Sequence, residues 1–373
     1  MSAPDVVAAA AGAAGGEGVV PVPVDTLDLP WLAAPLRRVL ASGRAHALLI
    51  HGPGIVGQFE LALALARAWL CEADDRPLVD RPCGRCASCK LQAARSHPDL
   101  LVLVPEAMRE SLGWDIGASD GDDSGEGTKK KPSKEIRVEA VRAAISFATT
   151  TSARGRGKVV VVHPAERMNE VAASAFLKTL EEPVGDARFL LCSAAPQALL
   201  PTIRSRCQQI VLGVPPAGDA EAWLARRGVA RPDVMLAASG GQPQAALAQN
   251  EGGIDARSWL ALPGRVAAGD ASAFQGWSLP SAVAAMQKIC HDAMALACGA
   301  PPRYFPRLRL DGAVEIGPLL GWARELARVA AEVDHPWGVD LAVESLVGQG
   351  REALKTPRSR SRADESLSLN SRR

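Results

Sequence analysis

Neither sign of charge is in excess in this sequence: 42 basic residues against 41 acidic ones leave a formal charge of +1. That balance excludes a global field strong enough to draw the protein onto nucleic acid or an anionic membrane. Any DNA contact must be local or shared with partners. Long apolar runs are missing too, and none approaches the roughly 18 residues a spanning helix needs. The apolar start from Val6 to Ala14 follows Asp5 and has no basic flank, which makes it a poor signal peptide. No internal repeat is visible. The expectation is a cytoplasmic protein. Its hydrophobic fraction of 47% and charged fraction of 22% are those of a soluble globular chain. A length of 373 residues predicts two or three domains.

Segments at both ends and in the middle have little to fold around. Residues 1–26 are Ala, Gly, Val and Pro without period and read as a disordered tail. Residues 106–134 carry an acidic block followed by a basic one, and read as a solvated inserted loop. The Arg/Ser-rich stretch 356–373 reads as a second disordered tail, with a weak nucleic-acid contact as the alternative. Between them, strand signals at 45–51, 99–104, 158–162 and 188–192 alternate with helical periodicity. Leu61, Ala64, Leu65 and Ala68 share one helix face, and Ala173, Phe176, Leu177 and Leu180 share another behind an Asn169 cap. Such alternation predicts an α/β domain with a doubly wound parallel sheet. After Pro215-Pro216 the pattern is helical only, as at 219–227, 233–238 and about 254–354.

His51 to Phe59 reads HGPGIVGQF, a phosphate-loop frame without its chemistry. Gly52 and Gly57 give the G-x-x-x-x-G spacing after a strand and before a helix. Lys and Ser/Thr should come next, to reach phosphates and hold Mg²⁺. Gln58 and Phe59 stand there instead. A neutral amide cannot replace an ammonium, and a phenyl ring cannot ligate a hard cation. The strand at 158–162 ends in His163 and Pro164, where an ATPase would place Asp and often Glu to hold Mg²⁺ and polarise water. No intrinsic ATPase is therefore expected; residual nucleotide binding without turnover stays open. The plainer alternative is a tight turn that uses Gly for backbone freedom.

Of the eight cysteines, Cys83, Cys86 and Cys89 form two consecutive C-x-x-C steps, with Cys71 upstream at the end of the first helix. Clustering of this kind favours metal over disulfides in a reducing compartment. Four thiolates suffice for a closed tetrahedral zinc site that supplies folding energy to a polar excursion. An iron–sulfur centre and free or redox thiols are the alternatives. The ferredoxin run, however, would need a fourth Cys followed by Pro soon after Cys89, where Ala93-Ala94 stand. Cys192, Cys207, Cys290 and Cys298 read as small core residues.

Thr202-Ile-Arg-Ser-Arg-Cys207 resembles the Ser-Arg-Cys motif of the clamp-loader AAA+ family. Ser96-His-Pro-Asp99, the segment from Ala175 to Pro183 (AFLKTLEEP) and the four-cysteine insertion occur in the family's order, so the resemblance covers about residues 31–354. It implies an AAA+ P-loop-type α/β domain to about residue 214 with a zinc-binding insertion. Next would come a small helical lid at 215–256 and an all-α collar at 257–355. Intact Walker residues mark the family's ATPase (gamma/tau) subunits; a degenerate loop beside a retained Ser-Arg-Cys resembles its non-hydrolysing member. Gly241 to Leu247 matches the sensor-2 segment, with Gln244 where an ATPase carries Arg. The resemblance further implies that Arg206 acts in trans as an arginine finger on the ATP of a neighbouring subunit. A surface salt bridge is the plain alternative for Arg206, and Arg204 reads as a solvated or packing residue. Lys178, Glu181 and Glu182 are left undecided between interface and solvated face. Implied partners are the gamma/tau ATPase subunits, the delta subunit and, through the assembly, the sliding clamp and primer–template DNA of a replicative polymerase holoenzyme. Two rival expectations are an active ATPase with an unusual loop and a zinc-ribbon nucleic-acid-binding protein.

Overall fold

The computed structural model describes residues 28–42, 45–114, 132–182, 185–310, 314–332 and 338–355. Both tails, and residues 115–131 of the acidic–basic segment, lie outside the described residues. The chain divides into two compact units, Met1–Gly213 and Val214–Arg373.

In the first unit, strands β1 (Ala47–His51), β2 (Leu100–Leu103), β3 (Val159–Val162), β4 (Arg188–Ser193) and β5 (Gln208–Val211) form one sheet in the order β2-β3-β4-β1-β5. Every pairing is parallel. Four consecutive valines make β3 buried at each position, as expected of a strand covered on both faces. The covering helices include α1 (Ala33–Ser42), α2 (Gln58–Leu70), α5 (Val138–Thr149) and α6 (Glu170–Glu181). Helix α2 is apolar nearly all round, and Leu61, Ala62, Leu65, Ala66 and Ala68 have no exposed surface. Asn169 caps α6 by accepting from the Ala172 amide at 2.9 Å. One turn further on, Phe176 meets Phe189 of β4 edge to face at 5.3 Å. The short helices α3 (Ala87–Ala93) and α7 (Pro201–Arg206) come after the cysteine excursion and β4 respectively.

One expectation is corrected here. Residues 106–112 are not loop but helix α4 (Glu106–Leu112). Pro105 precedes it, Gly113 ends it in the left-handed conformation (φ 63°), and the adjoining Trp114 is buried. The Glu106 carboxylate also accepts from the Ser133 amide at 2.9 Å, which ties the two flanks of the insertion together. These local start and stop signals outweigh the polarity of the remainder of the segment.

The second unit contains helices α8 (Ala217–Arg226), α9 (Pro232–Ala238), α10 (Pro243–Glu251), α11 (Ala256–Ala268), α12 (Leu279–Ala297), α13 (Ile316–Ala331) and α14 (Val339–Ala353). Asp292 is fully buried in α12 and accepts from the backbone amides of Arg303, Tyr304 and Phe305 at 2.9, 2.7 and 2.8 Å. That clamp holds Phe305 flat against Trp259, with ring centroids 4.8 Å apart. Cys192, Cys207 and Cys290 are buried as expected, but Cys298 is exposed because it is the C-cap of α12, just before Gly299. Among the described residues no helix is long and apolar enough to cross a membrane.

Candidate functional site

The loop 52–57 leaves the C-terminal end of β1, and His163 leaves that of β3, with β4 between them. In open α/β sheets ligands bind along this edge. The glycines are demanded by packing and, at Gly57, by backbone conformation as well. A Cβ on Gly52 would stand 2.5 Å from the Leu212 carbonyl oxygen. Gly57 has φ 105°, and a Cβ there would meet Leu32 and Leu29 at 2.9 and 3.0 Å.

Gln58 opens α2 and is only 5% exposed, because its side chain turns back into the loop. Its Oε1 accepts from the Val56 amide at 3.0 Å. Its Nε2 donates to the carbonyl of Gly54 at 2.6 Å and to that of Gly52 at 3.4 Å. A phosphate loop works by offering free backbone N–H groups to an anion; here the Val56 N–H is already occupied by the chain itself. The next residue, Phe59, is buried and stacks on His163 with centroids 4.5 Å apart and planes 17° from parallel. Burial pushes the His163 imidazole down to about 4, against a smaller upward pull from Glu166, so the ring is neutral at pH 7. Pro164 is half-buried behind it. The first acid along the chain after β3, Glu166, accepts from the Ala194 amide at 3.1 Å. Positions that would bring oxygen ligands to Mg²⁺ thus hold an aromatic stack.

The cysteine cluster lies at the other end of α2. Cys71 is the C-cap of that helix and Cys86 the N-cap of α3. The sulfurs of Cys71, Cys83, Cys86 and Cys89 all lie within 4.8 Å of one another, with Cys83 and Cys89 3.9 Å apart. Four thiolates about 2.3 Å from one zinc would stand about 3.8 Å from each other, so the set fits a tetrahedral ion. It does not fit disulfides, whose sulfurs are bonded at about 2.05 Å. Backbone amides of Cys83, Cys86 and Cys89 donate to the sulfurs of Cys71, Cys83 and Cys86 at 3.3, 3.3 and 3.4 Å. Such donors favour the charged thiolate that a metal requires. The Cys71 thiol is pushed down to about 4, chiefly by the hydrogen bond from Cys89.

The Ser96–Asp99 segment fastens this module to the sheet, a role that spacing alone did not reveal. His97 Nδ1 accepts from the Asp99 amide at 3.0 Å, which leaves Nε2–H to meet the Ser88 hydroxyl at 2.8 Å. Ser88 in turn donates to the carbonyl of Leu70 at 2.5 Å. Asp99 is fully buried and accepts from Ser152, Ala153, Arg154 and Lys158 at 2.8 to 3.1 Å. Burial pushes its carboxyl up, but the Ala153 amide, the Lys158 ammonium and the Ser152 hydroxyl outweigh that and hold it below the usual carboxylate range.

Arg206 is the last residue of α7 and its side chain is 33% exposed. Its Nη1 donates to the Thr202 carbonyl at 3.0 Å, and its Nη2 pairs with Glu181 at the end of α6. This pairing is what sequence reasoning missed in leaving Glu181 undecided. The available signal was an acid at a helix C-terminus, where the macrodipole disfavours it. Arg204 is half-buried on the same short helix. Gln244 lies in the first turn of α10 in the second unit.

Known proteins resemble this chain. A family model described as DNA polymerase III, delta subunit, matches residues 32–215. The DNA polymerase III subunit delta' of Pseudomonas aeruginosa is 39% identical over 221 residues, covering 57% of this chain and 58% of that protein. The Escherichia coli K12 subunit of the same name is 36% identical over 230 residues, with coverage of 60% and 61%. Over its sheet domain the chain is similar to the delta-prime subunits of DNA polymerase III. It spans about three-fifths of the length of the family members it matches. The subunit tau of Salmonella typhimurium is 31% identical over 189 residues, covering 50% of this chain and 25% of that protein. The residues matched by the family model, 32–215, contain all five strands of the parallel sheet.

Proposed function

We propose that this chain is a non-hydrolysing clamp-loader subunit that supplies Arg206 in trans to the ATP of a neighbouring ATPase subunit. In that capacity it supports ATP-dependent loading of the sliding clamp onto primed DNA in the cytoplasm. The observation that carries the reading is the contrast within one sheet domain. Its own loop is closed by Gln58 and the Phe59–His163 stack, whereas an arginine with one third of its side chain exposed stands at the end of α7.

A subunit that completes another protomer's site needs no triphosphate of its own. A guanidinium placed against a γ-phosphate from outside stabilises charge spreading in the transition state and is worth about 10³–10⁵ in rate. The partners of this reading are the gamma/tau ATPase subunits and the delta subunit, with clamp and primer–template DNA engaged through the assembly. The first unit is the AAA+ domain with its metal insertion. Within the second unit, residues 215–256 serve as the lid and 257–355 as the oligomerising collar. The metal held by Cys71, Cys83, Cys86 and Cys89 is zinc in a structural role, since four thiolates leave no open position for water.

The deciding experiment is ATP turnover. The purified chain alone should not hydrolyse Mg·ATP. Arg206→Ala should fold and assemble, yet sharply lower turnover of the reconstituted loader, with a loss of about 10³-fold or more at the site the finger completes. Magnesium-dependent hydrolysis by the isolated chain would overturn the proposal, as would unchanged turnover with Arg206→Ala.

A further inference from the structure

We propose that Glu181 is a positioning residue for Arg206, fixing the direction in which its guanidinium leaves α7 before a neighbouring subunit docks. The inference rests on the finger reading above and deepens it. Glu181 is the last residue of α6, and its carboxylate meets Nη2 of Arg206, while the Thr202 carbonyl takes Nη1 from within α7. The guanidinium is thereby held by two helices at once.

Three features separate positioning from ordinary stabilisation. A carboxylate at a helix C-terminus opposes the macrodipole, so Glu181 does nothing for α6 itself. The pair is 33% and 44% exposed, which makes it a weak contributor to folding. Finally, the buried Nε–H of Arg206 finds no acceptor among the described residues, so the side chain is not arranged to satisfy all of its donors. What the pair does accomplish is to select one rotamer of a long side chain whose freedom is otherwise large.

Magnitudes also decide between positioning and restraint. A finger contact worth about 10³–10⁵ in rate far exceeds an exposed ion pair, which is worth roughly 2- to 5-fold. Glu181 therefore cannot withhold Arg206 from a neighbour's phosphate. It can only bias where the guanidinium waits.

The test is a double-mutant cycle in the reconstituted loader with Glu181→Gln, Arg206→Ala and the pair. Glu181→Gln should lower kcat roughly 2- to 5-fold with KM for ATP unchanged, and Glu181→Ala should lower it further. In the Arg206→Ala background neither substitution should have any effect. Melting temperatures of the Glu181 variants should match that of the parent. An equal loss in both backgrounds, a change in KM alone, or no loss in the parent would overturn the positioning role while leaving the finger intact. Unchanged turnover with Arg206→Ala would remove the finger and this inference with it.

Discussion

Replacing Gln58 with alanine tests the closed loop directly. Alanine is the best helix former, so α2 is not weakened by the exchange itself. What is lost is the amide that accepts from Val56 at 3.0 Å and donates to Gly54 at 2.6 Å; the 3.4 Å contact to Gly52 adds little. Two well-formed hydrogen bonds at about 1 kcal/mol each give a local loss of about 2 kcal/mol. Because every 1.4 kcal/mol is tenfold, the Val56 amide should exchange with solvent about 30-fold faster in the variant. Hydrogen exchange resolved at Val56, with the β3 valines as an internal reference, measures this. The reference amides should be unaffected, since they exchange through opening of the sheet. Unchanged protection at Val56 would refute the view that the Gln58 side chain, and not the glycine-rich backbone, holds the loop shut.

The remaining predictions concern acid and metal. His163 is held neutral in the fold while an unfolded chain would protonate it near 6.5. Its contribution is therefore complete above about pH 6.5 and lost as pH falls toward 4, a change on the order of 3 kcal/mol. His163→Phe keeps a ring against Phe59 and should flatten that part of the acid dependence; urea midpoints at pH 7 and pH 4.5 with the same slope as the parent would contradict it. Native protein should contain about one zinc per chain and lose thermal stability on chelation. Metal-free protein of equal stability, or iron in place of zinc, would overturn the structural-zinc assignment.

Much of this was legible in the order of residues, but in an uneven way. Gly52 and Gly57 announced the loop, and the absence of Lys and Asp from their usual places was equally plain. Spacing reports what is missing from two positions; it cannot report that their replacements touch. Phe59 and His163 read as two separate losses, whereas the fold stacks them into one packed contact across the end of β4. The rotamer that turns Gln58 inward was likewise invisible, since a surface glutamine and a loop staple have the same letter. Cysteine spacing named the four clustered sulfurs because ligands close in sequence carry their own geometry. The Glu181–Arg206 pair was missed for the converse reason: its members lie on different helices, and only packing of α6 against α7 brings them together. Helix α4 was missed because the net polarity of a long insertion masked the Pro105 and Gly113 signals at its edge.

Helix α2 is about 20 Å long, and the chain grips it at both ends. Gln58 staples its first turn to the preceding loop, while Cys71 binds its last to the thiol cluster and, through Ser88 and His97, to the strand beyond. In a protein that turns over nucleotide, the first of these grips would loosen and tighten with each cycle. In the non-hydrolysing reading proposed above no such cycle reaches it, and a helix tied at both ends to loop and cluster is a fixed strut within its own domain.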